Sequence, residues 1–253
     1  MYFDTHAHLD DAAFDEDRDE VLRHIREAGV SRVLNPGCDE SSTRKAALLA
    51  EGNDFIWFAA GFHPEELSSL TEESYTAVCT LARHPKCLAI GEIGLDYYWD
   101  ASQKEAQQLL FDRQLELALQ LDKPVIIHDR EAHGDCLAAV KRHPSLHGVF
   151  HCYSGSAEMA EELLRMGWYL GFDGPVTYKN ARKALEVLEV CPPERILVET
   201  DSPYLSPVPM RGRRNDPGNL PWICAKIAEV KGMMAEEVAR ITEENGCRLF
   251  GLS

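Results

Sequence analysis

The strongest constraint on the fold is a recurring order of short apolar run, polar turn and helical pattern along the chain. Short apolar runs that alternate with helical patterns indicate βαβ units and a parallel sheet. The predicted strands are Tyr2–Phe3, Val30–Leu34, Phe55–Ala60, Leu88–Gly91, Pro124–Ile127, Gly148–Phe150, Trp168–Phe172 and Arg195–Val198. The predicted helices are Ser41–Glu51, Glu72–Arg83, Ser102–Leu121, Gly134–Arg142, Ala157–Met166, Ala181–Val190, Leu220–Lys231 and Ala235–Leu249.

About eight strand–helix units in 253 residues match the number and length of a (β/α)8 TIM barrel. An open doubly wound sheet is the alternative, but no glycine-rich dinucleotide turn follows the first predicted strand. We therefore predict an α/β fold: one domain over residues 1–253, a (β/α)8 TIM barrel with an extra C-terminal helix that covers its outside.

Composition narrows the functional class. No apolar run approaches the ~20 residues that span a bilayer, and the N-terminal stretch, acidic by Asp10, lacks the features of a secretory signal. The eight cysteines form no CxxC pair, so we expect buried free thiols. We also expect a cytoplasmic location and no obligate protein partner. A net charge of −16 argues against the usual basic nucleic-acid footprint. Bound divalent ions would add local positive charge.

His6 and His8 end the first predicted strand. Residues i and i+2 of a strand point the same way, so both imidazoles can reach one ion. A hydrogen-bonded polar pair at a strand end is the alternative for this motif taken alone.

Further candidate ligands follow other predicted strands, and the carboxyl ends of barrel strands meet at one mouth. They are Glu92, His128, His151, Glu199 and Asp201. Any one of them is more often a loop anchor than a ligand, but four histidines with two or three acids in this position predict a metal site.

The predicted ligands are imidazoles and carboxylates without cysteine, a set that suits Zn, Mn, Co or Ni and, more weakly, Mg. Six of them are too many for one tetrahedral ion with an open position. Two divalent metal ions ~3.5–4 Å apart would accommodate all six ligands. Glu92 is the predicted bridge between the ions because each of its oxygens can face one ion.

Taken together, the motifs resemble the TatD family of metal-dependent deoxyribonucleases, within the amidohydrolase-like barrel superfamily. The matching segments are Asp4–Leu9, Gly61–Pro64, Gly91–Tyr97, His128–Arg130, His151–Gly155, Glu199–Leu205 and Arg211–Pro217. Tyr153 departs from the family pattern, where many members carry Phe.

The resemblance implies that His6, His8 and Asp201 hold a first ion, that Glu92 bridges, and that His128 and His151 hold the second. It also implies hydrolysis of phosphodiester bonds in DNA, often by 3′→5′ exonuclease action on single strands.

Phosphodiester hydrolysis needs an activated water, and Asp201 is the predicted general base while it binds metal. Asp201 as a ligand only, with bulk water or Glu199 taking the proton, is the alternative. Glu199 could also lie behind the ligands or hold a third ion.

Candidate substrate contacts surround the predicted mouth. Arg130, Arg213 and Arg214 could bind phosphate, with Arg213 favoured because it follows the eighth strand. His63 could donate to substrate or only shape the turn before Pro64. The aromatic residues that could stack unpaired bases, or only stiffen the loops, are Tyr97, Tyr98, Trp99, Tyr153 and Tyr204.

Three functions fit the sequence. The first is a two-metal nuclease on single-stranded DNA ends, with Asp201 and Glu92 catalytic. The second is a hydrolase of a small amide, ester or phosphoester, which needs a closed pocket. The third is a barrel that binds metal or a partner without turnover, which the intact ligand set disfavours.

Overall fold

The computed structural model describes residues 1–99 and 101–252, which contain one eight-stranded parallel sheet in the order β1 to β8. The strands are β1 (Tyr2–Asp4), β2 (Val30–Pro36), β3 (Ile56–Ala60), β4 (Cys87–Asp96), β5 (Val125–Arg130), β6 (Gly148–Phe150), β7 (Tyr169–Phe172) and β8 (Ile196–Val198). The chain joins β8 to β1 just past the strand ends, where Thr5 N donates to Val198 O at 3.2 Å and Asp201 N donates to His6 O at 2.9 Å. The predicted (β/α)8 barrel is confirmed.

One helix follows each strand, and one more ends the described chain. The helices are α1 (Arg18–Glu27), α2 (Glu40–Gly52), α3 (Glu72–Leu81), α4 (Lys104–Leu121), α5 (His133–Arg142), α6 (Ala157–Arg165), α7 (Arg182–Val190), α8 (Leu220–Lys231) and α9 (Ala235–Phe250). Eight of them match predicted helices. The sequence analysis assigned no bounds to α1, whose buried face consists of Val21, Leu22 and Ile25 in a strongly charged segment.

Local capping explains where two helices begin. Asp39 accepts a hydrogen bond from Ser42 N at 2.7 Å, and the Ser42 hydroxyl accepts one from Asp39 N at 3.0 Å, which forms a capping box at α2. Thr71 and Ser74 form the same motif at α3. These caps satisfy backbone N–H groups that have no partner inside the helix.

Strand β4 is longer than predicted and carries site residues inside it. It was expected to end at Gly91 but runs to Asp96, since Gly94 and Asp96 pair with His128 and Arg130 of β5. Glu92 therefore lies within a strand, and His128 lies within β5 rather than at its end.

The core has two layers. A large cluster fills the space between the strands and the helices, and a second cluster lies inside the barrel. The inner layer has one residue from each strand: Phe3, Leu34, Ala59, Ala89, Ile126, Val149, Tyr169 and Leu197.

The end of α9 packs against this inner layer. Leu249 and Phe250 belong to the inner cluster, and the Phe250 ring lies 5.9 Å from the Phe3 ring. A Cβ on Gly246 would lie 2.6 Å from Phe3 Cδ1, so only glycine permits this approach. The last turn of the extra helix therefore closes the base of the barrel, while Val238 and Ala239 near its start pack on the outer cluster, as predicted for a helix that covers the outside.

No helix in the described part of the chain is long and apolar enough to cross a bilayer. The eight cysteines are all free, and Cys87, Cys136, Cys191 and Cys224 are buried, as expected.

Candidate metal centre

Glu92 lies at the centre of the mouth, between two pairs of imidazoles. Its Oε2 lies 3.2 Å from His6 Nε2 and 3.7 Å from His8 Nε2. Its Oε1 lies 2.8 Å from both His128 Nδ1 and His151 Nε2. One buried carboxylate thus turns a different oxygen toward each pair.

The first group contains His6, His8 and Asp201. The Nε2 atoms of His6 and His8 lie 3.2 Å apart, and Asp201 Oδ1 lies 3.7 Å and 3.5 Å from them. Asp201 has a left-handed backbone with φ of 52°, a region that Asp tolerates better than most residues. Strand spacing places the two imidazoles together, and the turn after β8 brings the carboxylate to them.

The second group contains His128, His151 and His63. His128 Nδ1 lies 3.4 Å from His151 Nε2. His63 Nε2 lies 3.6 Å from Glu92 Oε1, and its ring meets the His128 ring edge-on at 4.3 Å. His63, Glu92 and His128 form a group whose ligand atoms could share an ion. His63 was predicted to contact substrate, and the structure places it beside the predicted ligands.

The electrostatics favour anionic carboxylates at the centre. Burial opposes ionisation of Glu92, but His151 and His6 outweigh it and hold its pKa well below the usual range. Burial likewise opposes ionisation of Asp201, and the hydrogen bond with His8 keeps its pKa low. Burial and the neighbouring His151 lower the pKa of His6, which favours the neutral imidazole that a metal needs.

These atoms fit divalent cations. Two pairs of ring nitrogens face each other at 3.2 Å and 3.4 Å, where two lone pairs repel unless a proton or a cation lies between them. Anionic oxygens lie beside each pair. Imidazole nitrogens and carboxylate oxygens are the ligands that Zn and similar ions take in hydrolases.

Asp96 is a site residue to which the sequence analysis assigned no role. It is 1% exposed, and its Oδ2 lies 3.1 Å from His128 Nε2. A carboxylate at this position accepts a hydrogen bond from the Nε2–H group of His128, which leaves Nδ1 free to face Glu92. The available signal is strand spacing, because residues 92, 94 and 96 point to one side of β4.

Glu199 lies beneath the imidazoles and lines neither side of the groove described below. It is fully buried, accepts a hydrogen bond from Cys152 N at 2.5 Å and lies 3.6 Å from His151 Nδ1. A Cβ on Gly171 would lie 2.5 Å from Glu199 Oε1, so this glycine leaves room for the carboxylate. With His6 and His151 it forms another group that could hold a metal.

Asp4 is a second buried acid that the sequence analysis did not single out as a site residue. It accepts hydrogen bonds from His6 N at 3.2 Å, Thr200 N at 3.1 Å and Thr200 Oγ1 at 2.6 Å. Burial raises the pKa of Asp4 to about 8. Its contacts tie the segment that carries His6 to the segment that carries Asp201.

A groove with two lobes crosses the mouth, and each lobe has a volume of ≈ 590 Å³. The two lobes share His128, Arg130, His151, Asp201 and Leu205. One lobe, here called the acidic lobe, is further lined by His8, Asp10, Asp11, Cys38, Ser42, His63, Glu65, Glu66, Glu92, Trp99 and Tyr204. The other, here called the basic lobe, is further lined by residues that include Asp129, Tyr153, Ser154, Asp173, Asn180, Arg182 and Lys183.

Five predicted substrate contacts line this groove: His63, Trp99, Arg130, Tyr153 and Tyr204. Arg130 lies 4.1 Å over the exposed Tyr98 ring and 5.3 Å over the exposed Trp99 ring. Tyr204 is 54% exposed and donates to Asp11 at 2.8 Å. Tyr153 is buried and donates to Ser156 O at 2.9 Å, which indicates packing more than stacking.

Two predicted arginines lie away from the groove lining. Arg213 is exposed in the loop after β8 and lines neither lobe, so its role stays a prediction. Arg214 forms two hydrogen bonds with Asp17, at 2.9 Å and 2.6 Å, and its guanidinium is engaged there.

Comparison with known families agrees with this geometry. The family profile described as "TatD related DNase" matches residues 3–251. The chain belongs to this family. The resemblance inferred from the motifs is confirmed, and this TatD-family protein is a metal-dependent hydrolase.

Individual relatives match the TatD-family chain over nearly its full length. An uncharacterized metal-dependent hydrolase, YabD of Bacillus subtilis, is 43% identical over 255 residues, covering 100% of both chains. The 3′-5′ ssDNA/RNA exonuclease TatD of Pantoea vagans is 38% identical, covering 99% of this chain and 100% of its own. The crystal structure of YjjV, a TatD homologue from Escherichia coli K12, superposes with a TM-score of 0.94 at 32% identity, over 100% of this chain and 98% of that one.

Proposed function

We propose that the protein removes nucleotides from the 3′ end of single-stranded nucleic acid by two-metal hydrolysis of the phosphodiester bond. One observation carries the proposal. The two oxygens of Glu92 face two separate imidazole pairs at the floor of an open groove. A bridging carboxylate between two ions is the arrangement that in-line phosphoryl displacement uses.

The ligand assignment follows the distances. His6, His8 and Asp201 would hold the first ion with Glu92 Oε2, since the two Nε2 atoms lie 3.2 Å apart and each lies within 3.7 Å of both carboxylates. His128 and His151 would hold the second with Glu92 Oε1. His63 is placed to join the second group. Two divalent ions among Zn, Mn, Mg, Co and Ni suit this set.

Bound ions would neutralise charge on the phosphate and lower the pKa of a water molecule. Asp201 lines both lobes of the groove and lies beside the first imidazole pair, whereas Glu92 is turned toward both pairs, so Asp201 accepts the proton of the attacking water. Glu199 lies below the imidazoles and outside the groove lining, which disfavours it as the base. The new bond joins the water oxygen to phosphorus, the bond to the 3′ oxygen breaks, and that oxygen takes a proton.

The shape and lining of the groove support a strand as substrate. Exposed Tyr98, Trp99 and Tyr204 offer ring faces on which unpaired bases can stack, each worth ~1–3 kcal/mol without sequence preference. Arg130 belongs to the floor shared by the two lobes and lies over the Tyr98 and Trp99 rings, where its guanidinium can bind a phosphate. A small-molecule hydrolase would need a closed pocket instead, and the Pantoea vagans relative is named as an exonuclease of single-stranded DNA and RNA.

The test is digestion of a 5′-labelled single-stranded DNA oligonucleotide after chelation and re-addition of Mg, Mn or Zn. We expect products shortened from the 3′ end, activity that returns only with a metal, and a loss well beyond ~100-fold in Glu92→Gln and Asp201→Asn.

Two matched variants control for general effects of removing a carboxylate. Glu229→Gln and Asp54→Asn change exposed acids on α8 and at the base of the barrel, and both should keep wild-type activity. Full activity in Glu92→Gln would contradict the proposal. Turnover of a small ester without any digestion of DNA would favour the small-molecule hydrolase.

A further inference from the structure

The two lobes of the groove carry opposite charge. Apart from the shared floor, the acidic lobe contains five carboxylates, and the basic lobe contains two cationic side chains at the start of α7. Both lobes open on the same set of imidazoles and on Asp201. A polyanion that crosses the centre therefore meets a different environment on each side.

The carboxylates of the acidic lobe have no cationic partner from lysine or arginine. Among the ion pairs of residues 1–99 and 101–252, none joins Asp11, Glu65 or Glu66 to a lysine or an arginine. Glu65 is 40% exposed at its side chain, and its one ion-pair contact within the described residues is with His63, at 3.7 Å. Uncompensated charge in this lobe repels phosphate groups.

The basic lobe has the opposite balance. Lys183 is exposed at the start of α7, and no ion pair within the described residues involves it. Arg182 is 89% exposed and has one carboxylate partner, Glu186. Asn180 and Ser154 add uncharged donors to the wall.

The two acids of the basic lobe add little negative charge to it. Asp129 lies 2.9 Å from His133, which offsets its charge. Asp173 is 2% exposed, and its Oδ2 has no hydrogen-bond partner. Burial raises the pKa of Asp173 well above its usual range. This side chain offers a hydrogen-bonding group to a ligand rather than a repulsive charge.

A strand cut at its 3′ end has the same asymmetry as the groove. On one side of the scissile phosphate lies a terminal nucleoside that bears a 3′ hydroxyl and no further phosphate. On the other side lies the remainder of the strand, with one negative charge per nucleotide.

We propose that the acidic lobe holds the 3′-terminal nucleoside and that the basic lobe holds the upstream strand. This assignment rests on the proposed function. The acidic lobe then selects strands that end in a 3′ hydroxyl, because Asp11, Glu65 and Glu66 exclude any phosphate on the 3′ side of the scissile bond. The same charges bias cleavage to the terminal bond, since a strand bound further inward would place a phosphate among them. Each lobe has the size of a small-ligand site, which is ~300–1,000 Å³.

The experiment compares matched oligonucleotides with a 3′ hydroxyl or a 3′ phosphate, both labelled on a base near the 5′ end, at pH 8. A phosphate group adds about −1.5 to −2 charge. We expect kcat/KM to fall roughly tenfold or more with the 3′ phosphate. A phosphate at the 5′ end of the same oligonucleotide should have little effect, which separates position from total charge.

Two sets of variants assign the effect to the lobes. Asp11→Asn/Glu65→Gln/Glu66→Gln should bring the two substrates to within a few-fold of each other. Arg182→Gln/Lys183→Gln should raise KM for long strands more than for a dinucleotide and leave the preference for a 3′ hydroxyl unchanged.

The matched controls lie away from the mouth. Asp54→Asn/Glu229→Gln/Glu244→Gln removes three exposed carboxylates, and Arg26→Gln/Arg240→Gln removes two exposed cations. Both should behave as wild type. Equal rates of the wild-type enzyme on the two oligonucleotides, or an unchanged preference in the triple lobe variant, would overturn the orientation alone. Digestion from the 5′ end would contradict both the orientation and the proposed function. Failure to cut either oligonucleotide would contradict the proposed function, and the orientation with it.

Discussion

The two ends of the barrel use polar side chains in opposite ways. At the base, cations satisfy backbone carbonyls: Lys86 Nζ donates to Ala50 O and Asn53 O at 2.5 Å each, and Arg195 donates to Gly167 O at 2.8 Å. At the mouth, imidazole nitrogens face one another and share one carboxylate. The polar groups at the base are hydrogen-bonded and its interior is filled by side chains. The polar groups at the mouth are arranged to bind a ligand.

Unpaired buried atoms follow the same division. Within the part of the chain that the structure describes, five buried side-chain atoms have no hydrogen-bond partner. Four of them belong to His6, Asp129, His151 and Asp173, which all lie at carboxyl ends of strands. Buried polar atoms without a hydrogen-bond partner lower the stability of the fold. Their concentration at the mouth therefore separates the ligand-binding end of the barrel from the base, which stabilises it.

The largest expected effect tests the base. Phe250→Ala removes a buried ring that packs on Phe3, and the lost burial together with the cavity should lower the free energy of unfolding by about 3–5 kcal/mol. Activity per folded molecule should stay near wild type, because the ring is remote from the ligands. Denaturant unfolding and assays below the transition measure the two quantities. A variant that keeps its stability but loses activity would contradict the proposed division between a stabilising base and a ligand-binding mouth.

The next effect tests the mouth. Asp96→Asn replaces the carboxylate oxygen facing His128 Nε2 with an oxygen or a nitrogen that cannot hold the same proton as strongly. Loss of such an orienting group should lower metal affinity or activity about 10–100-fold, with a small change in stability. Metal titration by calorimetry measures affinity directly. Unchanged affinity and activity would remove Asp96 from the site, and Asp112→Asn on α4 is a surface control.

The smallest effect returns to the base. Lys86→Met keeps most of the apolar stem but leaves the carbonyls of Ala50 and Asn53 without this donor. Because Lys86 is partly exposed, water replaces some of the lost bonding, and we expect a loss of about 1 kcal/mol in the free energy of unfolding. Thermal unfolding reports the change, and nuclease activity should not respond. Lys226→Met on α8 provides for comparison a partly exposed lysine whose partner is the side chain of Glu229.

Much of the fold was predictable because the barrel repeats one pattern. Apolar runs bounded by turns located all eight strands, and the bounds of α8 and β6 match those predicted. The charged segment of α1 hid its three buried residues, so periodicity did not reveal the helix. Strand β4 exceeded its predicted end because polar residues inside it pair with β5, a tertiary contact that local pattern does not contain.

The candidate site was predictable in membership more than in arrangement. Histidines and acids after strands identified the six candidate ligands that the structure brings together at the mouth, since strand ends of a barrel converge. The place of His63 beside Glu92, and of Glu199 beneath the imidazoles, depends on loop and side-chain geometry that spacing does not specify. Asp96 was missed because one acid four residues after another looks like an ordinary strand end.

Closure of the base by α9 has a consequence for synthesis. Translation delivers His6 and His8 long before Leu249 and Phe250, yet β1 gains its packing from both β8 and this helix. Contacts between distant parts of a chain form late in folding, since loop closure must precede them. The nascent polypeptide therefore carries its earliest metal-binding residues in an unfinished barrel, and a ribosome must release almost the whole sequence before those residues can work together.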